Sequence, residues 1–147
     1  MYQKITAVGL PTNACDKHFY HMVQETEMTT IALSEINFKT FMKFKENDAD
    51  GKMAAVKNII WLEDKITPEN KKALEEVEFV VHLYKTVVLK GREQPEETAE
   101  QPDGAPSRIQ EPTEDDCFLI AYGPGTINGE GEATTPLGVK ITHKMMM

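Results

Sequence analysis

Three groups of residues in this sequence have the types and spacing that chemistry needs. In ACDKHFYHM, Cys15, His18 and His21 fall within seven residues. Thiolate and imidazole are zinc ligands, but structural zinc sites do not use the spacing C-x2-H-x2-H. On a helix the outer two would stand about 9 Å apart along the axis, too far to share one ion with the middle residue. They are candidates only if a loop folds them together. No metal site is assigned, and no cofactor is expected. In KENDADGK, Glu46, Asp48 and Asp50 precede Gly51, which resembles the first half of a calcium loop. Such a loop ends on a bidentate glutamate at its twelfth position. Here that position is Lys57, so a turn is expected instead. In GPGTING, residues 123–129, glycines could let the backbone approach a phosphate. A dinucleotide fingerprint needs a helix next and an acid about 20 residues later. Gly129, Gly131 and Pro136 preclude that helix, and 18 residues follow Gly129. A loop at a strand edge is expected.

Two single residues complete the candidates. Cys117 follows Glu114, Asp115 and Asp116, whose charges disfavour the reactive thiolate. It also opens the apolar run FLIAY, where cysteines are usually inert. His82 lies inside FVVHLY with no serine, cysteine or carboxylate near it in sequence, so a triad lacks its second member. No coherent catalytic set emerges, and the balance leans away from an enzyme.

The elements that must position these residues are bounded by composition. A chain of 147 residues that is 40% hydrophobic can build one small domain. Two cysteines are too few for a disulfide framework. The N-terminus lacks the pattern of a signal peptide or a membrane span, so a soluble, cytoplasmic protein with no membrane partner is expected. The net charge of −8 is concentrated: residues 91–117 carry two arginines against nine acids, while the rest is near neutral. That segment also holds four prolines and is too polar to offset the entropy of ordering it. It reads as an acidic, proline-rich loop or linker. Residues 1–90 read as the main β-rich domain, and residues 118–147 as a C-terminal β-hairpin packing on it.

Within the main domain, KITAVGLP and EMTTIAL read as strands. Thr67, Pro68 and Glu69 mark a helix start, giving a helix near 67–78. EFVVHLYKTVVLKG suits either helix or strand, and its β-branched density favours strand. CFLIAY and VKITHK read as two strands, with Asn128-Gly129 as a tight turn. Phe38, Thr40, Met42 and Phe44 alternate with Lys39, Phe41, Lys43 and Lys45. That period of two predicts a strand, turning at Asn47–Gly51 into a second strand carrying Val56, Ile59, Ile60 and Trp61. A helix over 36–44 is the rival. On the hairpin, Lys39, Phe41, Lys43 and Lys45, with Trp61, offer cations for phosphates and rings for stacking on single-stranded nucleic acid. The bland alternative is a lysine stripe that blunts a strand edge.

This order of strands, with one helix before the fourth, resembles the five-stranded oligonucleotide-binding (OB) barrel of bacterial single-stranded DNA-binding proteins. The resemblance covers residues 4–122 and rests on element order alone. The fold class expected is therefore β-rich α+β: one small domain of mostly antiparallel sheet, or a partly open OB-like barrel, with one or two helices and a long acidic loop. The function expected is a non-enzymatic binding or assembly module acting on a protein partner or forming a homo-oligomer. Accessory, inhibitory or structural proteins of the phage type fit that description. Single-stranded nucleic-acid binding is the alternative, and a metal- or nucleotide-binding enzyme the third.

Overall fold

The computed structural model describes residues 7–10, 14–93, 112–123 and 134–146. Most of the acidic segment and the Asn128-Gly129 turn lie outside the described residues. The chain divides into two compact units, Thr12–Gln94 and Met1–Pro11 with Pro95–Met147.

In the first unit, β2 (Thr30–Leu33), β3 (Asn58–Trp61) and β4 (Val80–Leu83) form a parallel sheet in that order. Parallel neighbours need crossovers, supplied by α2 (Glu35–Glu46) and α3 (Pro68–Glu76). Such crossovers are right-handed as a rule, which sets both helices on one face. The burial follows that face. Ile31, Leu33, Ile59 and Trp61 are buried, while Thr30 and Ala32 are exposed and Asn58 and Ile60 half-buried.

An aromatic cluster builds the rest of this core. Helix α1 (Asp16–Thr26) brings Phe19, whose ring stacks on Phe44 of α2 at 4.3 Å and meets Phe41 edge-on at 6.5 Å. Phe79, just before β4, tilts against Phe41 at 5.5 Å. The Tyr20 hydroxyl donates to the Phe44 carbonyl at 2.6 Å. Burial, then the charges of Asp16 and Asp48, push its phenol above the ordinary value, so the donor proton is retained. Helix α4 (Tyr84–Glu93) follows β4 with no loop between them.

The helix ends explain these boundaries. Thr67 accepts a hydrogen bond from the Asn70 N–H at 3.2 Å, with Pro68 opening α3. Helices α1 and α3 close with Schellman pairs: Met28 N–H donates to the Val23 carbonyl, and Phe79 N–H to the Leu74 carbonyl. The left-handed position in each is a glutamate, Glu27 at φ 48° and Glu78 at φ 66°, where glycine is the usual occupant.

In the second unit, β1 (Ala7–Gly9) pairs parallel with β5 (Cys117–Tyr122). Strand β5 pairs antiparallel with β6 (Gly138–Thr142), and α5 (His143–Met146) follows. The N-terminal strand thus joins the C-terminal hairpin rather than the strands that follow it in sequence. Gly138 lies opposite Tyr122, and a Cβ there would stand 2.9 Å from the Tyr122 ring. Gly138→Ala therefore forces the ring to move. The expected cost is about 1–3 kcal/mol in urea unfolding, as for other overpacked sites. Adding Tyr122→Ala should remove most of that penalty, giving a clear coupling in a double-mutant cycle.

These elements correct the expected fold class. The structure has two three-stranded sheets, one mixed and one wholly parallel, and the described strands close no barrel, OB-like or otherwise. Residues 38–44 are helix rather than strand. Phe38, Phe41 and Phe44 recur every three residues, and burying that face outweighs the weaker alternation of lysines. Residues 79–90 divide between the two readings, strand to Leu83 and helix from Tyr84. Among the described residues, no helix is long and apolar enough to cross a membrane.

Candidate functional site

Open parallel sheets hold ligands beyond the carboxyl ends of their strands, where strand order reverses. The order β2-β3-β4 runs without reversal, so these strands form no such crevice. Their carboxyl ends serve the fold instead. Glu63, past β3, accepts from the Glu35 N–H at 2.9 Å, placing a carboxylate at the positive end of α2. The Leu62 N–H donates to the Leu33 carbonyl at 3.0 Å.

A groove of about 340 Å³ opens on the flank of β4. Its apolar lining is Ile66, Val81, Leu83 and Val87; its polar lining is Lys71, His82, Thr86 and Lys90. Leu83, Thr86, Val87 and Lys90 recur at three- and four-residue steps, so they share one side of α4 and its approach. Lys71 comes from α3. No carboxylate lines the groove. Its chemistry is that of donors and positive charge over apolar side chains.

A shallower hollow of about 420 Å³ is lined by Lys17, Tyr20, His21, Gln24 and Lys52. Two of its basic groups already have acidic partners. Lys52 meets Asp50 at 2.9 Å, and His21 meets Glu25 at 3.4 Å. The hydrogen bond to Asp50 is the main cause that raises the Lys52 ammonium above its ordinary value.

The residues singled out in the sequence do not gather into one site. Phe41 and Trp61, read as stacking rings, are 3% and 1% exposed. Trp61 donates from Nε1 to the Lys65 carbonyl at 3.0 Å. Lys39 and Lys43 are exposed on α2, and the Lys45 ammonium lies 5.6 Å from the centre of the Phe79 ring. The two rings read as stacking platforms are thus packed in the core, away from the solvent where bases would stack. Cys15 is exposed at the start of α1, His18 is buried in it, and His21 is half-buried. Among the described residues, no three His, Cys, Asp or Glu groups could hold a metal ion.

The acidic turn has a structural role. Asp48 accepts from the Lys52 N–H at 2.6 Å through one oxygen and from the Met53 N–H at 2.9 Å through the other. Both carboxylate oxygens are committed to backbone donors, and Gly51 at φ 68° completes the bend. In the second unit, β5 pairs with the antiparallel β6; residues 124–133, where a dinucleotide fingerprint would place its helix, lie outside the described residues. His82, read as a core or boundary residue, is exposed and lines the groove. Lys71, Thr86 and Lys90 were not singled out, because only the groove that α3 and α4 both line relates them.

No family model matches this chain, and no curated protein matches it. Solved structures do, and those it resembles include adenylation domains of carboxylate reductases. The A domain of carboxylic acid reductase from Segniliparus rugosus, in complex with AMP and a co-purified carboxylic acid, matches 95% of this chain. Its TM-score is 0.62 at 16% identity. The A domain of a carboxylate reductase from Mycobacterium chelonae matches 96%, with TM-score 0.60 and 20% identity. The A-PCP didomain of the Segniliparus rugosus reductase, in complex with AMP, matches 95%, with TM-score 0.63 and 17% identity. The chain spans about a fifth of the length of each structure: 20%, 20% and 18%. The likeness is one of fold. It corrects the expectation of a non-enzymatic assembly module, because these neighbours are domains of enzymes.

Proposed function

We propose that this chain is a segment of an adenylation domain, which binds a nucleotide and activates a carboxylic acid. The observation that carries this reading is the fold likeness over 95% of the chain to an A domain holding AMP and a carboxylic acid. In adenylation, a carboxylate oxygen attacks the α-phosphorus of ATP, the bond to the β-phosphate oxygen breaks, and pyrophosphate leaves. The demand on the protein is to hold phosphate oxygens with donors that need no rearrangement. The sequence joining β5 to β6 carries Gly123, Gly125, Gly129 and Gly131 together with Thr126, Thr134 and Thr135. Glycine lets backbone N–H groups approach an anion closely, and threonine adds hydroxyl donors. This composition suits a phosphate-binding role within the domain. Since the chain spans a fifth of its neighbours, the complete reaction draws on further parts of such a domain.

Titration with AMP and ATP tests the reading, with thermal unfolding as the readout. A ligand at about 100 times its Kd stabilises the folded state by about 2.7 kcal/mol, a clear rise in Tm. The Thr134→Val/Thr135→Val variant should lose about tenfold in affinity, the worth of one or two hydrogen bonds to charged oxygens. An unchanged Tm with either nucleotide at about 10 mM, a level that would reveal millimolar binding, overturns the proposal.

A further inference from the structure

We propose that the groove beside β4 binds a small amphiphilic anion, its head between Lys71 and Lys90 and its apolar body along Ile66, Val81, Leu83 and Val87. Nothing in the adenylation reading assigns this groove, and the inference does not rest on that reading. The cations come from separate elements, Lys71 from α3 and Lys90 from α4, and both line one groove of about 340 Å³. No carboxylate lines it to cancel them. The acidic neighbour of Lys71 is Glu75, at 3.6 Å and on the same helix. That pair is more than half exposed on both sides, so it is worth little and yields to a better-placed anion. Thr86, one step before Val87 on α4, and His82 on β4 add hydrogen-bonding groups.

The apolar half of the lining narrows the ligand class. A bare inorganic anion would leave Ile66, Val81, Leu83 and Val87 against water. A ligand with several charges would place some of them over Ile66, Val81, Leu83 and Val87, which offer no donors. Lysine is a compact point charge rather than a planar fork, which suits a single anionic head. A short alkyl carboxylate has that chemistry. Its tail covers apolar surface that otherwise faces solvent, and its head faces two cations.

The test uses octanoate as probe, followed by amide chemical shifts of the whole chain. Acetate supplies the head alone and octan-1-ol the tail alone. Octanoate should shift residues 81–90 and Lys71 in a saturable way. Acetate and octan-1-ol should each bind at least tenfold more weakly. Raising salt should weaken octanoate, as expected for a solvent-facing charged head. The Lys71→Ala/Lys90→Ala variant should lose at least tenfold in octanoate affinity, with unchanged unfolding because both lysines are exposed. Lys85→Ala is the control: Lys85 pairs with Asp64 at 3.9 Å and does not line the groove. Equal octanoate affinity in the double variant and the parent would mean that the lysines only solvate the surfaces of α3 and α4, and overturns the proposal. So does octan-1-ol binding as tightly as octanoate, or shifts scattered away from the groove.

Discussion

Replacing Trp61 with alanine should remove about 3–5 kcal/mol of stability, the range for truncating a buried tryptophan. Trp61 is the only tryptophan in the chain and is 1% exposed. It ends the central strand β3, meets Phe38 of α2 edge-on at 6.0 Å, and donates from Nε1 to the Lys65 carbonyl. Alanine loses the packing and the hydrogen bond together, and leaves a cavity where sheet meets helix. Small domains are stable by about 5–15 kcal/mol, so this one change consumes a large share. Urea unfolding followed by circular dichroism measures it, since the variant has no tryptophan fluorescence. Trp61→Phe separates the contributions: it keeps a ring near Phe38 but leaves the Lys65 carbonyl without its donor, costing about 1–2 kcal/mol more than the lost area. A loss below about 1 kcal/mol for Trp61→Ala, typical of a surface site, would place Trp61 outside the core.

The local chemistry of this fold is legible in its sequence where signals act at short range. Thr67 and Pro68 announce α3, because a cap hydroxyl and a proline at the first helical position work within one turn. The apolar run CFLIAY and the alternating VKITHK announce β5 and β6, although His143 and Lys144 at the end of that run begin α5. What is not legible depends on distant partners. Helix α2 is capped by Glu63, 28 residues away from the Glu35 N–H it accepts, so nothing near Ser34 signals its start strongly. Helices α1 and α3 stop at Glu27 and Glu78, where no glycine warns of a left-handed turn. The parallel pairing of β2, β3 and β4 follows from the crossover helices. Once residues 38–44 are taken as strand, the crossover is lost and an antiparallel hairpin replaces it.

The candidate sites show the same division. Asp48 is recognisable as a turn former because its acceptors meet amides four and five residues on. The groove is not, because Lys71 and Lys90 are linked only by the way α3 and α4 flank β4. The resemblance to adenylation domains is likewise carried by the arrangement of elements, at 16–20% identity, and not by a motif read in advance.

Phe41 gives the sharpest separation between the two geometries of residues 38–44. On a strand, Phe41 would stand on the outer face with Lys39, Lys43 and Lys45, and its loss would leave stability within about 0.5 kcal/mol, as at exposed sites. On α2 it is 3% exposed, edge-on to Phe19 at 6.5 Å and tilted on Phe79 at 5.5 Å. It thereby ties α1, α2 and the entry to β4 into one cluster. Phe41→Ala should then cost about 3–5 kcal/mol, a figure that includes the two aromatic contacts at about 0.5–1.5 kcal/mol each. Lys43→Ala, on the exposed side of the same helix, should change stability by less than about 0.5 kcal/mol. Chemical unfolding of the two variants side by side decides the matter through the difference between them. Equal and small losses return residues 38–44 to the surface. A large loss confined to Phe41 fixes them as the helix whose apolar side faces α1, and which the parallel sheet requires as its first crossover.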